Sequence, residues 1–223
     1  MDVFTREYGR FRLLAKGARR QKTGQRALLH PFQPLSISWS GKRSLGTLTG
    51  VEIRRSYPRL RAQYLASAYY MSELLFKFLH AHDAHESLFD AYDETVAGLC
   101  GGSEPESLLR AFECSLLSEV GYGLQLERDA HSLQILESTA RYVYYPEKGP
   151  VRVGQEGEET GFTVSGETLR ALASQRFENQ QVMQESKQLL RMLLTRQLTA
   201  EGFTTRRVYA QMLRARQPGD GAD

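Results

Sequence analysis

The chain has 223 residues, of which 41% are hydrophobic and 25% charged, a composition typical of a globular protein with enough apolar side chains for a core. Its net charge of +3 conceals two opposed parts: the first 62 residues hold 14 Lys and Arg against three acids, a net charge of +11, and the remainder holds 15 bases against 23 acids, a net charge of −8. No stretch has the roughly 18 apolar residues of a membrane helix, no signal-peptide core follows Met1, and two cysteines are too few for a disulfide framework or a cysteine-only zinc site, so we expect a cytosolic protein.

Short strands are predicted over the first 55 residues. In the segment 8–16, basic and apolar residues alternate, which places Arg10 and Arg12 on one face of a sheet and Phe11 and Leu13 on the other. The ten residues that follow have no apolar periodicity and predict a flexible basic loop, after which two more strands are predicted, at 35–39 and 46–53. Several short strands with Gly-rich turns favour a small β-barrel.

Helical periodicity begins after Pro58, which marks the predicted domain boundary. Amphipathic helices are predicted at 60–79, at 87–99 and from the capping sequence at 103–106 to Gly121. Between 124 and 161 the pattern changes to a hairpin, and beyond it Ser165 and Asn179 or Gln180 begin two further helices, followed by a basic helix at 205–216. We therefore predict an α+β protein with a strand domain, 1–57, and a helical domain, 58–223, that carries a small hairpin insertion, 124–161.

The densest set of potential metal ligands is His80, His82, Asp83, His85 and Glu86. On a helix, His82 and Glu86 would lie four residues apart on one face, as metal ligands can. No cysteine or further histidine completes the set, so a solvated helix end is the favoured interpretation, with a metal-dependent enzyme as the alternative. The chain has no G-x-S-x-G elbow, phosphate-binding loop, dinucleotide fingerprint or paired-acid signature. No catalytic residue, metal, cofactor or small-molecule substrate is therefore expected.

The basic first part favours nucleic acid as a partner, because each neutralised phosphate releases condensed counterions. Its strands also contain Tyr8, Phe11 and Trp39, aromatic side chains that can stack on bases. The alternative is a solvated basic surface, with Phe11 and Trp39 in the core.

Several motifs together resemble one family, the bacterial RecO family of DNA repair proteins. They extend over nearly the whole chain: DVFTREYGR at 2–10, LLAKGARR at 13–20, LLHPFQPL at 28–35, YYMSELL at 69–75, LRAFE and LL at 109–117, and GYG at 121–123. The combination of the first two segments is a specific signature, whereas any single helix would be weak support.

The resemblance implies an N-terminal OB-fold followed by a helical domain. It also implies a non-enzymatic mediator of DNA repair and recombination that binds single- and double-stranded DNA, anneals complementary strands and, with RecR, helps load RecA on SSB-coated DNA at the nucleoid. The basic strand and loop of the family match six residues here: Arg10, Arg12, Lys16, Arg19, Arg20 and Lys22. Arg110 matches a basic position of the family at which the acidic C-terminal tail of SSB docks.

Two departures from the family pattern affect these expectations. Many relatives have a four-cysteine zinc module after the Gly-Tyr-Gly motif, but the corresponding stretch, 124–161, contains no cysteine, so zinc is not expected. Family members usually begin roughly twenty residues earlier, with an apolar strand and a turn, so the barrel is expected to lack its first strand and to expose an edge. Two explanations stay open: a start site assigned too far downstream, or a truncated form. The alternative function is a helical adaptor that recruits acidic SSB tails, with weak or secondary DNA binding.

Overall fold

A computed structural model of the chain describes residues 1–16, 28–41, 45–154 and 161–198. The described residues divide into two compact units, unit 1 at 1–103 and unit 2 at 104–198. Strands come first, helices follow, and a second small sheet lies among the helices, so the predicted α+β class is confirmed. The predicted domain division at residue 57 stays a prediction. No described helix is both long enough and apolar enough to cross a membrane.

The sheet of unit 1 has four strands in the order β1-β2-β4-β3. The β1–β2 and β3–β4 pairs are antiparallel, and β2 pairs with β4 in parallel. A bulge interrupts the β3–β4 register between Ser38 and Trp39. The strands are β1 (Asp2–Thr5), β2 (Gly9–Leu14), β3 (Leu35–Ser40) and β4 (Gly46–Ile53).

The predicted alternation along β2 is confirmed. Phe11 and Leu13 are buried and form a core cluster with Leu48 of β4, whereas Arg12 is exposed. Trp39 of β3 lies with its ring centroid 5.0 Å from that of Phe11, although β4 separates their strands in the sheet. The sheet therefore curls toward its buried face, which is compatible with an OB-fold-like half-barrel. Within the described residues, β1 and β3 are the edges of this sheet.

Two helices complete the described part of unit 1. The first, α1 (Leu65–Phe78), buries Ala68, Met71, Leu74 and Leu75, the face that the spacing of three and four predicted. It begins later than predicted, because residues 62–64 form a 3-10 turn instead. The second, α2 (Glu86–Gly101), ends at Gly102, whose left-handed φ of 88° suits glycine.

The helices of unit 2 begin where their capping residues predicted. They are α3 (Pro105–Glu119), α4 (Gly166–Ser174) and α5 (Gln180–Gln197). Pro105 occupies the first turn of α3, the Ser165 hydroxyl accepts a hydrogen bond from the Thr168 amide, and the Asn179 side chain accepts one from the Val182 amide. The predicted basic helix at 205–216 lies outside the described residues.

The small sheet of unit 2 confirms the predicted hairpin and adds a strand to it. Strands β5 (Arg141–Tyr145) and β6 (Gly149–Arg152) form the hairpin, and β7 (Phe162–Ser165) pairs with the other side of β5. Asp129 holds the preceding loop to β6, because its carboxylate accepts hydrogen bonds from the amides of His131, Ser132 and Arg152. This module is thus braced by a buried carboxylate.

Candidate nucleic-acid interface

The basic face is the side of β2 that carries Arg10, Arg12 and, just beyond the strand, Lys16. Arg12 and Lys16 are both exposed. The Nε atom of Arg12 lies 3.2 Å from Asp2 Oδ1, but the Arg12 side chain is 66% exposed, so this pair is a weak surface interaction. Arg12 and Lys16 can therefore replace water by phosphate oxygens at a small cost in free energy.

Arg10 is held differently from Arg12. Its guanidinium carbon lies 4.0 Å from the ring centroid of Phe76 on α1, and its Nη2 donates a hydrogen bond of 3.2 Å to the Leu79 carbonyl. Its Nε atom is buried without a hydrogen-bond partner. Arg10 thus joins β2 to the end of α1, a role that alternation along the strand could not indicate. Its predicted contact with DNA stays a prediction.

The other three predicted DNA-binding residues, Arg19, Arg20 and Lys22, lie outside the described residues. Sequence reasoning also left out Arg54 and Arg55, which are exposed just after β4. The Nη1 atom of Arg55 donates to the Tyr57 hydroxyl, which in turn donates to Asp93. That hydrogen bond to Tyr57 raises the pKa of Arg55, so its positive charge is secure.

Arg6 belongs to the basic part of the chain but not to the basic face. Its guanidinium contacts Glu86 at 2.5 Å and Asp90 at 3.1 Å, both on α2. The hydrogen bond from Arg6 lowers the pKa of Asp90, so this carboxylate keeps its charge beside Arg6. The pairing joins the β1–β2 turn to α2.

Four rings lie in contact at the start of β2. The centroid of Trp39 is 5.0 Å from that of Tyr8, with the ring planes at 88°, and 5.0 Å from that of Phe11. His82 stacks on Phe11 at 5.4 Å, with the planes at 23°. Phe11 is buried, as the alternative interpretation proposed, Trp39 is partly buried, and Tyr8 and His82 are exposed.

The histidine-rich segment does not form a helix with its ligands on one face. His80 and His82 precede α2, and His85 occupies its N-cap, 3.5 Å from Asp83. Among the described residues, no three His, Cys, Asp or Glu side chains are grouped so that they could hold a metal ion.

Arg110 lies on α3, where its side chain is almost fully buried. Its Nε and Nη2 atoms donate to the two carboxylate oxygens of Glu113 at 2.7 and 2.6 Å. Glu113 is 2% exposed and Arg110 is 5% exposed. The ion pair is a desolvated, bidentate one, so an external carboxylate would meet a guanidinium that already has a partner. Its predicted contact with an SSB tail stays a prediction.

Comparisons with known proteins agree along the chain. The family description "Recombination protein O N terminal" matches residues 1–57, and "Recombination protein O C terminal" matches residues 59–207. A DNA repair protein RecO of Polynucleobacter necessarius subsp. necessarius (strain STIR1) is 42% identical over 214 residues, which cover 93% of this chain and 87% of that protein. Proteins of the same name from Dechloromonas aromatica (strain RCB) and Azoarcus sp. (strain BH72) are 39% and 38% identical, covering 95% and 96% of this chain and 88% of each relative.

Proposed function

Because the chain belongs to the RecO family and is thereby a protein of DNA repair and recombination, we propose that it binds single- and double-stranded DNA and anneals complementary strands. With RecR, it then helps to load RecA on SSB-coated DNA. The observation that carries the proposal is the basic face: Arg12 is exposed on a strand whose other face forms part of the core, and Lys16 is exposed just beyond the end of that strand. It works in the cytoplasm at the nucleoid, where such DNA lies.

The proposed mechanism is electrostatic and involves no covalent step. Exposed guanidinium and ammonium groups replace the counterions of a phosphate backbone, and the released ions supply much of the binding free energy. When two complementary strands are neutralised on one surface, their mutual repulsion falls and the bases can pair. Binding should consequently depend strongly on salt and weakly on base sequence.

The test is fluorescence anisotropy of labelled single- and double-stranded oligonucleotides across a series of salt concentrations. We expect affinity to fall steeply with salt, and the double variant Arg12→Glu, Lys16→Glu to bind both DNAs at least tenfold more weakly than the wild type. Arg176→Glu, Arg191→Glu is the matched control, since it changes the charge equally at exposed positions of unit 2. No binding at low salt, or equal losses in both double variants, would contradict the proposal.

A second proposed function concerns unit 2 as an adaptor that binds the acidic C-terminal tail of SSB at Arg110. The support is the resemblance at 109–117, together with the apolar residues around Arg110 on α3, and the tail carboxylate would have to replace Glu113 as the partner of Arg110. A fluorescent tail peptide tests it. The double variant Arg110→Met, Glu113→Leu keeps the helix apolar and packed and should no longer bind the peptide. The variant Glu106→Gln, Lys187→Gln should still bind it. Unchanged affinity in the first variant would refute a contact at Arg110.

A further inference from the structure

We propose that the ring of Tyr8, supported from behind by Trp39, is a stacking site for an unpaired nucleobase of single-stranded DNA. At this site the chain contacts a base, whereas Arg12 and Lys16 contact phosphates. The inference rests on the proposed DNA binding and assigns to it a second kind of contact. It concerns a strand with unpaired bases, because bases inside a duplex offer no free face.

The geometry leaves Tyr8 open for stacking. The residue is 52% exposed although its ring contacts that of Trp39 at a centroid distance of 5.0 Å. The ring planes are at 88°, and an edge-to-face contact of this kind covers at most one face of Tyr8. Among the described residues, about half of the Tyr8 surface stays open, which leaves room for a planar base, and a sequence-tolerant stack is what such a ring provides, since every base has a π face.

The position of the Tyr8 ring is fixed from two sides. Behind it, Trp39 packs on Phe11, which is buried in the core and stacks on His82 in turn. Through the backbone, the Tyr8 amide donates to the Thr5 hydroxyl, which donates to the Gly9 carbonyl. A ring held in place before binding loses little conformational entropy when a base stacks on it.

Gly9 contributes to this preorganisation. Its φ of 65° is left-handed, and a Cβ atom there would clash with the backbone carbonyl of Asp83. The turn that carries Tyr8 can therefore lie directly against the 82–83 segment, where the His82 amide donates to the Arg10 carbonyl. Only a residue without a side chain permits this approach.

Tyr8 lies in the turn that precedes β2, Arg12 lies within the strand, and Lys16 lies two residues beyond its end. Lys16 follows Tyr8 by eight positions, which span at most roughly 25 Å when extended, and Arg12 lies midway along the sequence. A single strand of a few nucleotides is long enough to place phosphates at Arg12 and Lys16 and one base on Tyr8. Charge anchors the backbone, and the ring distinguishes an unpaired strand from a duplex.

The first experiment compares two ligands of equal charge: an oligothymidylate and an abasic oligonucleotide of the same length. We expect the wild type to bind the oligothymidylate about five- to 150-fold more tightly, the range for one aromatic–base stack. Trp39 is the single tryptophan of the chain, so its fluorescence should change with the oligothymidylate and stay constant with the abasic strand. Equal affinities for the two strands would overturn the inference.

The second experiment assigns the effect to Tyr8. Tyr8→Ala should lose the preference for the oligothymidylate and keep its affinity for the abasic strand and the duplex, whereas Tyr8→Phe should behave like the wild type. Tyr122→Ala is the matched control, because Tyr122 is 50% exposed in unit 2. A Tyr8→Ala protein with unchanged preference refutes the stacking site while DNA binding stands. Loss of every ligand by the wild type would instead refute the proposed function.

Discussion

The basic face of unit 1 and the small sheet of unit 2 both carry arginines, but the arginines differ in what they contact. Arg12 has a weak surface contact with Asp2. In unit 2, Arg141 contacts Glu185 at 2.7 Å, and Arg152 donates two hydrogen bonds to Glu137. A cation held by a short or a doubly hydrogen-bonded carboxylate contact offers less to a phosphate than Arg12, whose contact with Asp2 is single and longer. The arrangement of acids, more than the number of bases, therefore distinguishes a binding surface from a structural one.

The carboxylates of unit 2 organise its fold. Burial alone would raise the pKa of Glu185, but the Ser165 amide, the Ser165 and Thr168 hydroxyls and Arg141 all donate to it and lower its pKa to about 2. Backbone amides likewise lower the pKa of Asp129 against the opposing effect of its burial. Both groups are anions whose hydrogen bonds hold loops and strands in place.

The largest expected effect comes from breaking the buried pair of unit 2. Arg110→Ala leaves the Glu113 carboxylate buried without its counter-charge, so the free energy of unfolding of unit 2 should fall by about 3–5 kcal/mol. Arg110→Met, Glu113→Leu removes both charges and should restore most of it. Near-UV circular dichroism of the buried tyrosines reports unit 2 during urea unfolding, and Trp39 fluorescence reports unit 1. Equal losses in the single and double variants would show that packing, rather than an unpaired charge, matters there.

A smaller effect should appear when Glu185 is titrated. Its pKa of about 2 in the folded protein lies below the unfolded value of about 4.3, so the stability it contributes is present above pH 4.3 and is lost as the pH falls from about 5 toward 2. The loss should amount to about 2–3 kcal/mol, measured by urea unfolding at a series of pH values. Glu185→Gln should flatten that dependence. Glu178→Gln, at an exposed position, is the control and should leave it intact.

The smallest expected effect is on DNA affinity, and it tests most directly whether acidic partners decide which cations bind DNA. Glu86→Gln, Asp90→Asn removes both partners of Arg6 and leaves its guanidinium available beside the turn that carries Tyr8. One further phosphate contact should raise DNA affinity a few-fold and steepen the salt dependence by about 0.7–0.9 in the logarithmic slope.

The control for the Glu86→Gln, Asp90→Asn variant frees two cations in unit 2 with the same change in net charge. Glu106→Gln, Glu147→Gln removes the partners of Lys187 and Arg196 and should leave DNA affinity nearly unchanged. If both double variants tighten binding equally, net charge governs the interaction, and the distinction between the two regions fails.

Local signals predicted most of the elements. Each of three helix starts is specified by residues of its own first turn: the cap at Ser165, the cap at Asn179 and the proline at the start of α3. A few residues were therefore enough to predict them. The four-residue strand β7 was missed because it is too short for a clear alternation and exists through its pairing with β5. The 3-10 turn before α1 was missed as well, because its spacing of three residues resembles that of a first helical turn.

By itself, the sequence determined which residues of β2 face the core, because the alternation of side chains is a property of any extended strand. It also determined the family and the concentration of positive charge in the first 62 residues. Tertiary structure alone decided which cations are occupied: Phe76 and Leu79 reach Arg10, Asp90 reaches Arg6, and Arg12 stays exposed. The physical reason is that a charge held by a close partner is less available to a ligand, and the hydrogen-bond partners of Arg10 and Arg6 lie 69 and 84 residues away along the chain.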